Sequence, residues 1–373
     1  MRGMAILAIS VSAAFLFVNS AGKPLAEASY QGYGICFSPY LELDPNKGYS
    51  VPADRISSLL DIVAPYFKWI RTYGATHGQE NVPRIAKAKG LSVSAGCWLS
   101  RNRTANEAEI SSLLRLIQNG HVDLAIVGSE VLLRNDLSED ELIGYIRRVK
   151  ASGVPVTTGE TWSELLQHPK VMAECSVILA HFYPYWEGMR IDQALKNLHQ
   201  NYLKLKQAAG GKEVIVGETG WPSGGCSFGQ AIASPENASL YFLNFVSWAR
   251  AENVKYFYFE AFDEVWKASY EGPQGAYWGI WDKTFQMKPG MIRVFNGETM
   301  PNNWSSETSK TIPGDLDFDG RTTVLDATLS LRFLLGLDSP SPKQASAADI
   351  NRNGKLDIGD CIMILRLAVG LAA

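Results

Sequence analysis

Short apolar runs alternate with amphipathic stretches along most of the chain. Eight runs read as strands: Tyr33–Tyr40, Trp69–Gly74, Leu91–Trp98, Leu124–Glu130, Pro155–Trp162, Ser176–Tyr185, Glu213–Trp221 and Lys255–Asp263. Most are short, β-branched or aromatic, and apolar on both faces, the pattern of strands covered on both sides. Helical patterns lie between them. Ala53–Ala64 starts after Pro52, and Asp192–Ala209 and Ser234–Glu252 are long and amphipathic. Asn106–Asn119 and Ser138–Ala151 look capped, because Asn106 and Ser138 are followed three residues later by Glu109 and Glu141. Eight strand–helix units over about 270 residues predict an α/β fold, a (β/α)8 TIM barrel. An open, doubly wound sheet is the rival. No G-x-G-x-x-G follows the first strand, so a nucleotide-binding version lacks its signature.

A polar stretch from Glu298 to Pro313 separates this region from a smaller one. The expected organisation is a barrel over residues 29–297, a linker over 298–312 and a small all-α module over 313–373. At the other end, Arg2 precedes an apolar run from Met4 to Val18, broken only by Ser10 and Ser12. Ala26-Glu27-Ala28 then fits a small-residue cleavage site. Residues 1–28 read as a secretory signal peptide, with an N-terminal anchor as the alternative. The run is shorter than the ~20 residues a span needs, and no later segment reaches that length. An exported, extracellular protein with no membrane span after cleavage is expected.

Composition narrows the partners. Of the 373 residues 46% are apolar and 20% charged, and the net charge is −3. Wholesale disorder is excluded, and a nucleic-acid partner has no basic footprint. The 10 Trp and 15 Tyr suit neutral ligands such as sugars, though Trp also serves cores. Cys36, Cys97, Cys175, Cys226 and Cys361 are odd in number and widely spaced, which reads as free thiols rather than a zinc site or disulfide framework.

The small module repeats itself at an offset of 34 residues. Asp315-Leu-Asp317-Phe-Asp319-Gly320 recurs as Asp349-Ile-Asn351-Arg-Asn353-Gly354, and each is completed by a carboxylate at position twelve, Asp326 and Asp360. Calcium takes six to eight hard oxygen ligands. Side chains at positions one, three, five and twelve can wrap one ion together with the backbone carbonyl at seven, Arg321 or Lys355, while Gly at six permits the sharp turn. Thr323 and Asp357 stand at position nine. Two structural calcium ions are therefore expected; a pair of solvated Asx-turns is the bland alternative.

This segment, from about Pro313 to Leu371, resembles a bacterial dockerin of type I-like character. The resemblance implies docking onto a cohesin module of a scaffold protein, and so a scaffold- or cell-surface-associated enzyme. Recognition would fall at loop positions ten and eleven, here Val324-Leu325 and Ile358-Gly359, and on the following helix, with Arg332 and Arg366 as rim contacts.

Two carboxylates mark the large region. Glu130 ends the fourth strand and Glu218 lies in the seventh. In a barrel the C-terminal strand ends surround the active site, so the two would meet across one cleft. A glycosidase needs one carboxylic acid to protonate the leaving oxygen and a second carboxylate at the anomeric carbon. Retention of configuration requires a separation of roughly 5–5.5 Å.

This constellation resembles glycoside hydrolase family 17 and its clan. The motifs that carry it are Val-Gly-Ser129-Glu130, Gly-Glu218-Thr-Gly-Trp221-Pro-Ser, Phe182-Tyr183-Pro184-Tyr185 and Phe259-Glu-Ala-Phe262-Asp-Glu264-Val-Trp-Lys267. The resemblance implies Glu130 as acid/base, Glu218 as nucleophile, Tyr183 as hydrogen-bond donor to the nucleophile, and Glu264 with Lys267 as a supporting pair. Ser129 stands where the clan places an Asn that binds the sugar 2-hydroxyl. The substrate implied is a β-glucan, most simply β-1,3-linked, with no catalytic cofactor.

Tyr73, Trp98, Trp162, Trp221 and Trp281 sit at or beyond strand ends and read either as sugar platforms or as core. Glu160, ending strand five, reads equally as a sugar ligand or a surface cap. His181, in an apolar strand, reads as a core histidine. The favoured function is a retaining β-glucan hydrolase. A transglycosylase, in which a sugar hydroxyl resolves the ester, and a glycan-binding barrel that has lost activity are the alternatives.

Overall fold

A computed structural model describes residues 28–305 and 312–371. The expected signal segment up to Glu27 lies outside the described residues. Eight parallel strands close in sequence order: β1 (Gly32–Cys36), β2 (Phe67–Arg71), β3 (Ser92–Cys97), β4 (Leu124–Ser129), β5 (Val156–Thr161), β6 (Ile178–His181), β7 (Val214–Thr219) and β8 (Tyr256–Tyr258). Ile35 pairs with Tyr258 to shut the ring. The main surrounding helices are α1 (Ala53–Val63), α2 (Val82–Ala88), α3 (Arg103–Gln118), α4 (Glu139–Lys150), α5 (Trp162–Gln167), α6 (Pro169–Glu174), α7 (Ile191–Ala208) and α8 (Pro235–Ala251). Two single-turn helices, α9 (Ala268–Glu271) and α10 (Ile292–Phe295), follow β8. The (β/α)8 reading holds, and the open sheet does not.

Each strand stops before its apolar run does. Glu130, Tyr183, Trp221 and Asp263 leave the ladder and form the C-terminal rim. The ladder register also shifts between Ile126 and Ser129, between Ala180 and His181, and between Val216 and Thr219. Such irregularities re-aim side chains next to active sites.

Helix ends follow local chemistry, with one correction. Ser138 and Glu141 form the expected reciprocal box at the start of α4. Asn106 does not cap α3. Asn102 does, accepting from the Ala105 N–H at 3.1 Å, while Asn106 is buried inside the helix and bonded to Ser100. Its partner in the expected box, Glu109, instead accepts from the Ala75 and Trp98 amides at 2.7 and 3.0 Å.

The expected linker is partly barrel. Met300 and Trp304 are buried against the main core. The Trp304 indole donates to Glu252 at 2.9 Å, and the Met300 amide donates to Ser247 at 2.8 Å. The polar composition of this stretch concealed two apolar anchors. Residues 306–311 lie outside the described residues.

In the small module α11 (Val324–Leu334) and α13 (Ile358–Ala368) pack over Leu316, Ala327, Ala348 and Ile364, with α12 (Pro342–Ala348) between them in sequence. The module rests on the barrel. Arg293 pairs with Asp319 at 3.0 Å, and Arg190 donates to Gln344 at 2.9 Å. Cys36, Cys97, Cys175 and Cys361 are buried and Cys226 is exposed, all of them free. Among the described residues no helix is long and apolar enough to cross a membrane.

Candidate active site

Glu130 is the first residue past β4, with its amide donating to the Gly159 carbonyl at 2.7 Å. Its φ of 53° lies in the left-handed region, unusual for a side-chain-bearing residue outside Asn and Asp. That turn leaves 29% of its side chain open, whereas Glu218, inside β7, keeps only 8%. Carboxylate oxygens of Glu130 and Glu218 and a ring nitrogen of His181 lie within 4.8 Å of one another. The two acids therefore meet at one place on the C-terminal side of the barrel.

A buried carboxylate needs partners to stay charged. Arg71, fully buried at the end of β2, donates to Glu218 Oε1 at 2.9 Å. Tyr183 donates to Oε2 at 2.8 Å, as the family resemblance implies. Burial and the charge on Glu218 push the Tyr183 phenol well up, which keeps its proton in place. Both Glu218 oxygens are thus met by donors.

Arg71 and His181 were not singled out from sequence, and His181 was read as core. The structure sets His181 between the acids: Nδ1 is 2.8 Å from Glu130 Oε1 and Nε2 is 3.3 Å from Glu218 Oε1. The available signal was alternation, since Arg71 and His181 each precede a recognised aromatic, Tyr73 and Tyr183, by two residues. Glycine makes the room. A Cβ on Gly159 would come within 2.8 Å of Arg71 and 2.9 Å of His181.

Burial pushes the Glu130 carboxyl up, but the hydrogen bond and charge of His181, with the charges of Arg134 and Arg71, outweigh it and hold the group below its ordinary value. Ser129 is buried, and its hydroxyl accepts from Arg71 at 3.2 Å.

Beyond the acids, Lys267 lies 2.6 Å from Glu260 and 2.8 Å from Glu264, all three buried. Glu264 also accepts from Ser38 and Trp266 at 2.5 and 3.1 Å. Its charge is balanced, and Lys267 holds its carboxyl down against burial. Glu260 is the third member that sequence reasoning missed. The Lys267 ammonium sits 4.3 Å from the Phe259 ring, whose edges meet Tyr73, Tyr183 and Trp278.

The aromatic candidates divide. Trp98 is 43% exposed, with the Arg134 guanidinium 4.3 Å from its ring, and Tyr73 is partly exposed beside Arg71. Trp162 is partly exposed, its indole donating to Glu187 at 3.0 Å. Trp221 and Trp281 are core, at 1% and 3% exposure. The Trp221 N–H is spent on the Ile232 carbonyl, and Trp281 packs on Tyr66 and Phe262. They are corrected from sugar platforms to packing. Glu160 is also corrected. It is fully buried, neither at the surface nor open to the cleft, and accepts from the Leu132 amide at 2.8 Å.

The two loops of the small module have the donor set a calcium ion requires. Oxygens of Asp315, Asp317 and Asp326 converge within 4.8 Å. Asp317 Oδ2 is buried with no hydrogen-bond donor, and burial with mutual repulsion pushes Asp315 up to about 6. A hard cation relieves both. Asp326 and Asp360 fold their loops identically, Oδ1 accepting from Leu316 and Asp317 in one and from Ile350 and Asn351 in the other. Asp319, Asn351 and Asn353 complete the side-chain positions, with the Arg321 and Lys355 carbonyls at position seven.

Comparison with known proteins agrees with this geometry. The BtgE/BtgC glycoside hydrolase domain matches residues 34–279, and the Dockerin type I domain matches 313–366. A glucan 1,3-beta-glucosidase of Candida albicans is 29% identical over 265 residues, 64% of this chain and 86% of that one. Another, of Arthroderma benhamiae, is 30% identical over 242 residues, 59% of this chain and 78% of that one. A glycoside hydrolase family 17 beta-1,3-glucanosyltransferase from Rhizomucor miehei superposes with a TM-score of 0.62 at 30% identity, over 70% of this chain and 96% of that one. The chain belongs to the BtgE/BtgC glycoside hydrolase family, with a family 17 type of barrel, and carries a dockerin type I domain after it.

Proposed function

We propose that this chain is an extracellular, retaining β-1,3-glucan hydrolase, borne on a cohesin scaffold by a dockerin that holds two calcium ions. The observation that carries the chemistry is the approach of Glu130 to Glu218 within 4.8 Å, with donors on both Glu218 oxygens. Glu218 attacks the anomeric carbon while Glu130 gives its proton to the departing glycosidic oxygen. The ester that forms joins the sugar to Glu218. Glu130, now anionic, takes a proton from water, whose oxygen displaces Glu218 with a second inversion. Trp98 and Tyr73 are the candidate sugar platforms. Ser129 acts through Arg71 or the sugar 2-hydroxyl. The glucan linkage is supported by the names of the relatives, glucan 1,3-beta-glucosidases among them.

On the dockerin, exposed Val324 and Leu331 on α11 recur as exposed Ile358 and Leu365 on α13, an apolar stripe fit for a cohesin. The mutual support of the two acids argues against a barrel that only binds glycans. Release of reducing ends from laminarin, lost in Glu130→Ala and Glu218→Gln while the fold survives, tests the hydrolase reading. Full activity in Glu218→Gln would end it. The second reading, transglycosylation, is favoured by the resemblance to the Rhizomucor miehei glucanosyltransferase. Chromatography separates the two, since oligosaccharides longer than the substrate mean transfer.

A further inference from the structure

We propose that Glu160 is a positioning residue for the acid/base Glu130, acting through the backbone amide of Leu132. The proposal rests on the reading of Glu130 as acid/base.

The chain reverses direction immediately after Glu130. Glu130 takes a left-handed backbone, and the turn beyond it is closed by Arg134 N–H to the Glu130 carbonyl at 3.0 Å and Asp136 N–H to Val131 at 3.0 Å. The Leu132 amide instead points into the barrel wall, where Glu160 Oε1 accepts it at 2.8 Å. Glu160 is reached from the next strand. Its neighbour Gly159 accepts the Glu130 amide at 2.7 Å, so consecutive residues of β5 grip the turn on both sides of the catalytic side chain. Glu160 is 0% exposed, so no solvent water can replace its oxygen at that amide. The left-handed conformation at Glu130 persists only where its surroundings over-determine it.

Burial, with the charge on Glu130 behind it, pushes the Glu160 carboxyl up to about 7 against the Leu132 and Arg134 contacts. On the acid side of neutrality it is therefore a neutral acceptor, which glutamine reproduces and leucine does not. Loosening the turn displaces the Glu130 carboxyl from the glycosidic oxygen, and positional errors of this kind slow the step that uses the displaced group.

The test exploits leaving groups. The sugar leaving group released from laminarin is a poor alkoxide that needs protonation, whereas dinitrophenolate from 2,4-dinitrophenyl β-laminaribioside departs without it. In Glu160→Leu, kcat/KM on laminarin is expected to fall about tenfold or more, while kcat/KM on the dinitrophenyl substrate stays within about threefold. Glu160→Gln restores the laminarin rate to within about threefold. Should the Leu variant not fold, Glu160→Asp, too short to reach Leu132, carries the same expectation. Equal losses on both substrates, or a Gln variant as slow as Leu, would overturn the proposal. Glu130→Ala is the control. If it shows no dependence on leaving group, the acid/base reading fails; if it shows one and Glu160→Leu does not, only the present proposal fails.

Discussion

A side chain that must attack carbon from inside a protein has to remain an anion where water is scarce. In the proposed mechanism Glu218 takes that part, and its two oxygens accept from Arg71 and Tyr183. Glu130, as the proposed acid, has the opposite requirement, since in that mechanism it carries a proton to the leaving oxygen. His181 works against that in the free site, because its hydrogen bond and charge hold Glu130 down while burial alone pushes it up. Arg134 and Arg71 act in the same direction as His181. The sign of the outcome follows. In His181→Phe burial is opposed only by the two arginines, so the Glu130 carboxyl moves up and keeps its proton to higher pH. The basic limb of kcat/KM, which reports the free enzyme's acid, is expected to shift upward. An unchanged or lowered limb would show that His181 does not govern the acid.

Strand ends are where sequence pattern and structure part. The eight strands were legible because most are buried on both faces, giving nearly continuous apolar runs; β2, with Lys68 exposed, is the exception. Their ends were not, because Phe182, Trp221 and Phe262 extend the apolar run past the last ladder bond. For the same reason, pattern could not separate Trp98, which is exposed beside Arg134, from Trp221 and Trp281, which are buried in the core. Glu130, Glu218 and Tyr183 were singled out through their motifs, and their side chains lie together in the structure. Arg71 offered only its alternation with Tyr73, and Glu260 sat in a quoted motif with no role read for it, since a buried charge is defined by its partners elsewhere in the fold. The tryptophans allow a contrast. Trp221→Ala empties a packed core site and is expected to cost about 3–5 kcal/mol of stability in denaturant unfolding. Trp98→Ala is expected to leave stability within about 0.5 kcal/mol and to raise KM for laminarin about tenfold. Reversal of these two effects would reverse the assignment of core and cleft.

At the scale of the whole molecule, a rigid barrel carries a module whose own core is a handful of side chains. So small a core needs metal to be stable. The calcium loops differ in setting, since Asp319 of the first is tied to Arg293 of the barrel while the second faces solvent. Chelation is expected to remove the helical signal of α11 and α13 in far-UV circular dichroism, and to leave hydrolysis of soluble laminarin unchanged. Loss of hydrolysis on chelation would place calcium in the barrel's chemistry instead. In the proposed mechanism glycosidic cleavage passes through a covalent sugar ester at one carboxylate. The most direct measurement is mass spectrometry of peptides after incubation with an activated 2-deoxy-2-fluoro-β-laminaribioside, which slows release of the ester. The account predicts one added fluorosugar on the peptide containing Glu218; label on another residue, or turnover with no label and an inverted anomer, would contradict it.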